Sequence, residues 1–277
     1  MKKTQLLIRV KSAIRSGNLL DRLIDFIAGN ILFALPEHFR RLIFKGNSHY
    51  CPICASRLRT FINLYRPYHL WCPVCRSLQR HRLIWVFLNS KTVQISESPR
   101  RMLHFAPEPG LSHRFQSTPS LQYISADLND PAASIKLDIC ELPFPAESFD
   151  LIYCSHVLEH VIHDAVAMQE FYRVLKSTGE AVIQVPIKGE VTYEDPNIVD
   201  ELDREKYFGQ IDHVRVYGKD ITRRLSKAGF QVKVFVTEDV VQPEEIGYMG
   251  LNVGETILLC EKFKHDGGDY PSANQSK

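Results

Sequence analysis

The sequence predicts an α/β fold: a doubly wound, Rossmann-like sheet preceded by a helical segment and a small zinc ribbon. Two features of the 277 residues lead to this prediction. From residue 102 onward, short apolar runs that suit buried parallel strands alternate with amphipathic helices. Before that point, two Cys-x-x-Cys pairs stand 17 residues apart, which is the spacing of a zinc ribbon. The length allows one large domain and one small one.

Composition divides the chain into four segments. They are an N-terminal helical segment over residues 1–46, a zinc ribbon with a basic helix over 47–99, the α/β domain over 100–263 and a disordered tail over 264–277. Residues 1–101 hold 18 Lys and Arg against 4 Asp and Glu, a formal charge of +14, whereas 102–277 hold 16 against 28, a charge of −12. A basic front half favours a polyanionic partner, and a solvated basic face opposite the acidic half explains the charge equally well.

The most apolar run of the chain covers residues 23–35 and is ended by Pro36. Asp25 and Asn30 interrupt it, and it is shorter than the roughly 20 residues that a membrane-spanning helix needs. We expect a helix packed on the main domain, with a position on a membrane surface as the alternative. No secretory signal fits the first residues, so we predict a cytoplasmic protein with reduced cysteines.

The secondary-structure elements are predicted in order along the chain. Caps and periodicity predict helices over 77–88 from Ser77, over 165–176 between Asp164 and Gly179, and between Asp220 and Gly229. Apolar runs predict strands over 102–106, 122–126, 134–137, 149–154, 181–185, 230–236 and 256–260. The polar residues 187–218 are predicted to form an insertion over the edge of the sheet.

The cysteine cluster predicts a metal site. Each Cys-x-x-Cys turn places two thiolates on one side of a tight knuckle, and two knuckles complete a tetrahedral shell. The predicted zinc ligands are Cys51, Cys54, Cys72 and Cys75. Four sulfurs leave no open coordination position, so we expect a structural zinc that contributes on the order of 10 kcal/mol to folding. A redox pair and unligated core cysteines are the alternatives.

A basic run follows the second knuckle, with the residues Arg76, Arg80, His81 and Arg82. Arg76 and Arg80 are one helical turn apart, so the run is a candidate clamp for phosphate or an acidic substrate. A solvated helix face, or ion pairs with the acidic half of the chain, is an equal alternative.

The loop after the first strand of the α/β domain, residues 106–110, distinguishes between cofactor classes. A dinucleotide loop needs glycines so that backbone amides can approach a pyrophosphate. Here prolines remove amide donors and Glu108 adds a negative charge, which argues against NAD or FAD. S-adenosylmethionine has no phosphate and carries a cationic sulfonium and ammonium, so an acid is favourable.

Two further acids follow the next strands. Asp127 ends the second strand, where it is placed to accept both ribose hydroxyls, and Asp138 follows the third, near the adenine edge.

The central sequence of this domain is similar to a known family. The run LDICELPFPAESFDLIYCSHVLEH at residues 137–160, followed by EFYRVLKSTG at 170–179, resembles class I S-adenosylmethionine-dependent methyltransferases of the type 11 group. The resemblance covers about residues 100–263, and it implies a seven-stranded sheet with the last strand antiparallel. A cysteine ribbon ahead of this fold also resembles some ribosomal RNA methyltransferases. The methyl acceptor stays open between RNA, protein, glycan and small molecules.

The resemblance implies a set of cofactor-binding positions. Ala106, Glu108 and Gly110 would meet the methionine end, Asp127 the ribose, Asp138 and Ile139 the adenine, and Ser155 and His156 the pocket near the methyl group. The first loop departs from the glycine-rich pattern of the family and keeps only Gly110.

Methyl transfer is an in-line displacement at carbon, so orientation and water exclusion are the main tasks of the protein. Where the acceptor arrives protonated, a base is needed, and His156, His160 and His213 are the candidates. The polar stretch 208–218 predicts a lid on the substrate side, with closure of the sheet edge as the alternative.

Two other functions compete with methyl transfer. The sequence HVLEH from His156 to His160 matches the H-x-x-E-H signature of zinc peptidases. That site needs both histidines on one helix, and here the first falls in the loop after a strand. The second competitor is a non-catalytic module in which the zinc ribbon binds RNA or an acidic polymer.

Overall fold

The computed structural model describes residues 29–64 and 69–262. Most of the predicted N-terminal helix, residues 1–28, and the predicted disordered tail lie outside the described residues. The chain forms two compact units. Among the described residues, the cysteine unit consists of those up to Glu97 with Glu108–Pro119 and Val236–Glu255, and the sheet unit consists of Ser98–Pro107, Ser120–Phe235 and those from Thr256 to Lys262.

The described elements run in the following order. They are α1 (Glu37–Ile43), β1 (Lys45–Cys51), β2 (Ser56–Leu58), β3 (Ile62–Asn63), β4 (Leu70–Trp71), α2 (Gln79–Leu88), β5 (Arg100–Phe105), α3 (Pro109–Gln116), β6 (Leu121–Asp127), β7 (Ile135–Lys136), β8 (Phe149–Ser155), a 3₁₀ turn (Leu158–His160), α4 (Asp164–Val174), β9 (Leu175–Gln184), β10 (Tyr193–Glu194), α5 (Glu201–Phe208), β11 (Arg215–Val216), α6 (Ile221–Lys227), β12 (Phe230–Val236), α7 (Thr237–Val240), α8 (Pro243–Met249) and β13 (Thr256–Lys262).

The sheet unit is built on seven strands in the order β12-β13-β9-β8-β5-β6-β7. The pairs β5–β6, β5–β8, β6–β7 and β8–β9 are parallel, and β13 runs antiparallel to β9. The predicted Rossmann-like sheet with an antiparallel last strand is therefore confirmed. Its core contains fully buried side chains from strands and helices, including Leu103, Ile152, Phe171, Ile183 and Leu225.

Helix α4 is shorter than predicted, because it ends at Val174 and β9 begins at Leu175. Lys176 is therefore in a strand, and Gly179 does not end a helix. A Cβ on Gly179 would lie 2.9 Å from the side chain of Leu175 and 3.0 Å from the carbonyl oxygen of Phe149. Close packing within the sheet explains the glycine here.

The two aspartates predicted as helix caps make no capping hydrogen bond with their side chains and bind other partners instead. Asp164 is the first residue of α4, and its carboxylate accepts hydrogen bonds from Tyr217 and Arg224. Oδ1 of Asp220 accepts from the amide and the hydroxyl of Thr192, at 2.7 and 2.6 Å. Both aspartates thus join segments distant in sequence, which local patterns cannot reveal.

The cysteine unit contains two small antiparallel pairs, β1–β2 and β3–β4, and the helix α2. Residues 29–34 and α1 are helical, in the described part of the predicted N-terminal segment. The helix predicted from Ser77 starts at Gln79 instead, and the Ser77 hydroxyl lies 3.5 Å from Sγ of Cys51 and 3.2 Å from Sγ of Cys75. No helix of the described ranges is long and apolar enough to span a membrane.

Candidate functional site

The four cysteines of the two knuckles come together in the cysteine unit. Their sulfur atoms all lie within 4.8 Å of one another. Sγ of Cys51 is 3.6 Å from Sγ of Cys75, and Sγ of Cys54 is 3.7 Å from Sγ of Cys72. A disulfide would need about 2.05 Å, whereas four sulfurs at about 2.3 Å around one tetrahedral zinc are about 3.8 Å apart. The donor set and the spacing therefore fit zinc.

A buried arginine lies in the same unit. Arg82 is fully buried, and its guanidinium donates to the carbonyl oxygens of Leu70, Ser77, Met249 and Gly250. Burial lowers the pKa of Arg82, and the charge of the nearby cysteines acts in the opposite direction. One zinc with four thiolates carries a net charge of about −2, which a buried cation offsets. Arg82 thus has a structural position, which corrects its interpretation as part of an anion clamp.

Other members of the predicted clamp also have partners within the cysteine unit. Nε2 of His81 lies 3.5 Å from Oε1 of Glu108. Arg76 donates to the carbonyl oxygen of Phe33 at 2.6 Å, and its guanidinium lies 4.7 Å from the centre of the Phe33 ring. His81 therefore contacts an acid of the acidic half, as the alternative to the clamp expected, whereas Arg76 packs on a residue of the basic half, which neither interpretation predicted.

Gly110, the one glycine kept in the first loop, has a packing role in the cysteine unit. It lies in the first turn of α3, where a Cβ would approach the carbonyl oxygen of Cys75 to 2.8 Å. The predicted contacts of Glu108 and Gly110 with a cofactor stay predictions.

Two non-glycine residues in the sheet unit have a left-handed backbone at the carboxyl ends of parallel strands. Ala106 follows β5 with φ 51°, and His156 follows β8 with φ 53°. Such a conformation costs of order 1–3 kcal/mol and persists only where the surroundings enforce it. Here the amide of Ala106 donates to Ala126 and the amide of His156 to Gln184, both at 2.9 Å. The sheet therefore holds these two sharp turns at one edge.

The two predicted cofactor acids lie at the tips of the neighbouring strands β6 and β7. Asp127 pairs with Lys136 in the parallel register, and the amide of Leu137 donates to the carbonyl oxygen of Asp127 at 3.3 Å. Oδ1 of Asp127 accepts from the amides of Asn129 and Asp130, both at 2.6 Å, and Oδ1 of Asp138 accepts from the amide of Cys140 at 2.8 Å. One oxygen of each carboxylate thus orders its own loop.

The side chains around the turns differ in exposure. Asp127 is half-buried and Asp138 is exposed, whereas Ile139 is buried. Ser155 is buried, and its hydroxyl lies 3.4 Å from Oε1 of Gln184. This edge therefore has two accessible acids, with a buried apolar residue next to Asp138 in sequence, and such acids suit a nucleoside without phosphate.

The three predicted histidines lie near one another, on two segments far apart in sequence. Nδ1 of His156 is 3.1 Å from Oε1 of Glu159. The rings of His160 and His213 meet edge to face, with their centres 4.6 Å apart. The amide of Val214 donates to the carbonyl oxygen of Glu159 at 2.9 Å, which joins the segment 208–218 to the turn after β8.

Burial and charge act differently on the two packed rings. Burial lowers the pKa of His160, but the hydrogen bond to Asp212 and the charges of Asp212 and Glu159 outweigh it and raise the pKa. Burial lowers the pKa of His213, and the neighbouring His160 lowers it further. The pKa of Asp212 is lowered, first by its hydrogen bond with His160.

An ion-pair network anchors the segment 208–218, and its partners could not be predicted from the sequence. Arg215 is buried and donates to the carbonyl oxygens of Leu158, Val161 and Ile162. Its Nε also donates to Glu194 at 2.8 Å. Only the density of polar residues in the segment pointed to such a role.

The H-x-x-E-H motif after β8 forms a 3₁₀ turn rather than an α-helix, so its two histidines do not share a helix face as a zinc peptidase requires.

The comparisons with known proteins concern the sheet and its surroundings. Residues 115–183 match a family model described as a methyltransferase domain. No curated protein matches the chain.

Several solved structures are similar to the chain at low identity. An S-adenosylmethionine-dependent methyltransferase from Archaeoglobus fulgidus shares 15% identity over 65% of this chain and 93% of its own, with a TM-score of 0.45. Phosphoethanolamine N-methyltransferase 2 of Haemonchus contortus, in complex with phosphomonomethylethanolamine and S-adenosylhomocysteine, shares 15% over 66% of this chain and 53% of its own, with a TM-score of 0.47. A 1,6-didemethyltoxoflavin-N1-methyltransferase from Burkholderia thailandensis shares 13% over 60% of this chain and 72% of its own, with a TM-score of 0.42.

Proposed function

We propose that this chain, an S-adenosylmethionine-dependent methyltransferase, holds the nucleoside of its cofactor at the tips of β6 and β7. The class of activity follows from the family match at residues 115–183, most of which belong to the sheet unit, and from the seven-stranded sheet of that unit. The residues that hold the cofactor are our proposal. The observation that supports it is a pair of acids at two adjacent parallel strands: Asp127 is the last residue of β6, and Asp138 lies two residues after β7.

The nucleoside contacts are assigned by donor chemistry. Oδ1 of Asp127 is engaged by backbone amides at 2.6 Å, and this fixes the carboxylate so that Oδ2 can accept from the ribose hydroxyls. Asp138 would accept a hydrogen bond from the adenine amino group, and Ile139, which is buried, would supply apolar contact to the ring. Open sheets of this class bind ligands beyond the carboxyl ends of their strands, where these residues lie.

The methyl end is assigned to the two left-handed turns. Ala106 and His156 end the strands β5 and β8, which are paired in parallel. When bound, S-adenosylmethionine supplies an electrophilic methyl group on a cationic sulfur. The protein's own contribution is to hold that group and the acceptor in line and to exclude water. Strained turns next to a ligand are suited to this, because the surrounding sheet prevents them from relaxing.

His156 is assigned a position next to the acceptor. Its Nδ1 contacts Glu159 at 3.1 Å, and its Nε2 is buried without a hydrogen-bond partner among the described residues. With Nδ1 donating to the carboxylate, Nε2 presents a lone pair that can accept a hydrogen bond from the acceptor. The acceptor itself stays open between RNA, protein, glycan and small molecules.

The four cysteines are assigned a structural zinc. This assignment is supported by their sulfurs, which all lie within 4.8 Å of one another, and by Arg82, which supplies a buried positive charge in the same unit. All coordination positions are filled by protein, so the zinc stabilises the cysteine unit and does not take part in methyl transfer.

Calorimetry with S-adenosylhomocysteine tests the cofactor site. Asp127→Asn keeps an oxygen for the turn but removes the charge that the ribose contacts need. The loss of one hydrogen bond to a charged group, about 1.5–3 kcal/mol, weakens Kd about 10- to 150-fold. Asp195→Asn is the matched control, since Oδ1 of Asp195 accepts from the amide of Asn197 at 2.9 Å in a similar turn. Wild-type protein that does not bind the ligand, or an unchanged Kd for Asp127→Asn, would contradict the proposal.

A further inference from the structure

A second group of metal-binding side chains lies in the sheet unit. Glu159, His160 and His213 each offer a ligand atom, and these atoms all lie within 4.8 Å of one another. Glu159 and His160 belong to the 3₁₀ turn after β8, and His213 comes from the segment 208–218. The hydrogen bond from the amide of Val214 to the carbonyl oxygen of Glu159 fixes the two segments together.

The group contains buried polar atoms that the protein leaves without hydrogen bonds. The side chain of Glu159 is 2% exposed, and His213 is 4% exposed. Oε2 of Glu159 and Nε2 of His213 have no hydrogen-bond partner among the described residues. Leaving one buried polar atom unpaired costs about 1–3 kcal/mol, and more for a charged group. Buried charges are normally paired or bound to a metal.

The other nitrogens of the two rings are already in use. Nδ1 of His213 lies 3.3 Å from the carbonyl oxygen of Phe208. Nδ1 of His160 lies 3.3 Å from the carbonyl oxygen of Asp212 and 3.4 Å from its Oδ2. When each Nδ1 donates to these oxygens, each Nε2 carries a lone pair. Metal-binding histidines are commonly held in this way, by a carbonyl or carboxylate on the second nitrogen.

We propose that Glu159, His160 and His213 bind one divalent first-row metal ion. The ligands are Oε2 of Glu159 and the Nε2 atoms of the two histidines. Two imidazoles with one carboxylate suit such an ion, and three protein ligands leave positions for water or substrate. His156 is outside the group of atoms within 4.8 Å of one another, and its Nδ1 contacts the other oxygen of Glu159. His160 and His213, predicted as bases, are thereby reassigned to holding the cation.

This site is independent of the cofactor assignment and of the four cysteines. Its ligands include neither Asp127 nor Asp138, so it stands whether or not those acids hold S-adenosylmethionine. It differs from the cysteine site in donor type, since it has no sulfur. Thiolates give bound Co²⁺ an intense charge-transfer absorption that imidazole and carboxylate do not, so Co²⁺ distinguishes the two sites.

A Co²⁺ titration of full-length protein carrying one equivalent of zinc, which the four thiolates take up first, tests the proposal. Wild-type protein is expected to bind one Co²⁺ with visible absorption that lacks the thiolate band. Glu159→Gln and His160→Ala should each weaken this binding at least tenfold, since each removes a ligand. His163→Ala is the matched control, because His163 is exposed, lies three residues after His160 and is outside the group of three ligands.

Two results would overturn the site. One is wild-type protein that takes up Co²⁺ only with the thiolate band, or none at all. The other is equal binding by wild type, Glu159→Gln and His160→Ala. Glu159 is buried, so the fold of its variant is checked by circular dichroism, and His160→Ala decides if Glu159→Gln does not fold. His160 is suited to this role, since its side chain is 32% exposed.

Discussion

The hydroxyl of Tyr217 donates a 2.7 Å hydrogen bond to Oδ2 of Asp164, a residue 53 positions earlier in the chain. Both side chains are buried, and Oδ1 of the same carboxylate accepts from Arg224 at 2.9 Å. Burial raises the pKa of Tyr217, and the charge of Asp164 raises it further, so the hydroxyl stays a donor at neutral pH. This bond ties the start of α4 to the end of the segment 208–218, which carries His213.

Tyr217→Phe tests the value of that bond. The substitution keeps the ring and removes the hydroxyl, which leaves Oδ2 of Asp164 without this donor. We expect the free energy of unfolding to fall by about 1–3 kcal/mol, the cost of an unsatisfied buried polar group. Urea denaturation measures it. The control is Tyr193→Phe, at a 46% exposed residue of the same unit. Equal stability of the two variants would show that the bond contributes nothing.

The strands of the sheet could be predicted from sequence because each contains a short apolar run or, in β12, an alternation of apolar and polar residues. The acids at 127 and 138 could also be predicted, since a residue just after a buried strand lies at the edge of the sheet. The end of α4 could not, because Leu175 continues the helical period of α4, and the polar residues 176–180 that follow it in β9 do not resemble a buried strand. Periodicity alone therefore does not show where this helix ends.

Contacts between segments that are distant in the chain could not be predicted from the sequence. Glu159 and His213 are brought together by a segment with little regular structure, and no period links them. Asp220 has the residue type and position of a helix cap, but the donors that it accepts from belong to Thr192. Side chains of this kind are assigned wrongly when only their neighbours in sequence are considered.

Removal of the cysteine metal should destabilise the cysteine unit. Cys75→Ser leaves three sulfurs, and the zinc-to-protein ratio measured by elemental analysis is expected to fall by about one. The apparent Tm should fall strongly, because structural zinc contributes on the order of 10 kcal/mol. Cys140→Ser is the control, since Cys140 is a half-buried thiol of the sheet unit. Equal zinc content in both variants would argue for unligated cysteines.

Gly110→Ala should destabilise the cysteine unit. The added Cβ would lie 2.8 Å from the carbonyl oxygen of Cys75, a backbone atom of the second knuckle. We expect a loss of about 1–3 kcal/mol in the free energy of unfolding, as for other overpacked sites. Gly247→Ala is the control, because it lies within α8 and its Cβ would meet nothing within 4 Å. If both variants unfold at the same temperature, close packing does not explain Gly110.

The loop that carries Asp138 should loosen in acid. Arg173 holds Glu170 through two hydrogen bonds of 2.7 Å, and Oε2 of Glu170 also accepts from the amide of Leu142 at 2.8 Å. Arg173 in turn donates to the carbonyl oxygens of Leu142 and Phe144. The bond from Arg173 holds the pKa of Glu170 below its usual value, and the amide of Leu142 adds to the effect against burial.

The sign of the pH effect follows from that lowered pKa. The stabilisation is complete above the ordinary glutamate pKa, about 4.3, and is lost as the pH falls through the lower value of the folded state. Glu170→Gln removes the ionised partner, so wild type should be more stable than the variant at pH 7, and the difference should shrink below pH 4. Urea midpoints at the two pH values measure this. Glu141→Gln, at an exposed residue of the same loop, should show little difference at either pH. A wild-type advantage over Glu170→Gln that stays constant from pH 7 to pH 3.5 would mean that the pair with Arg173 does not hold the loop.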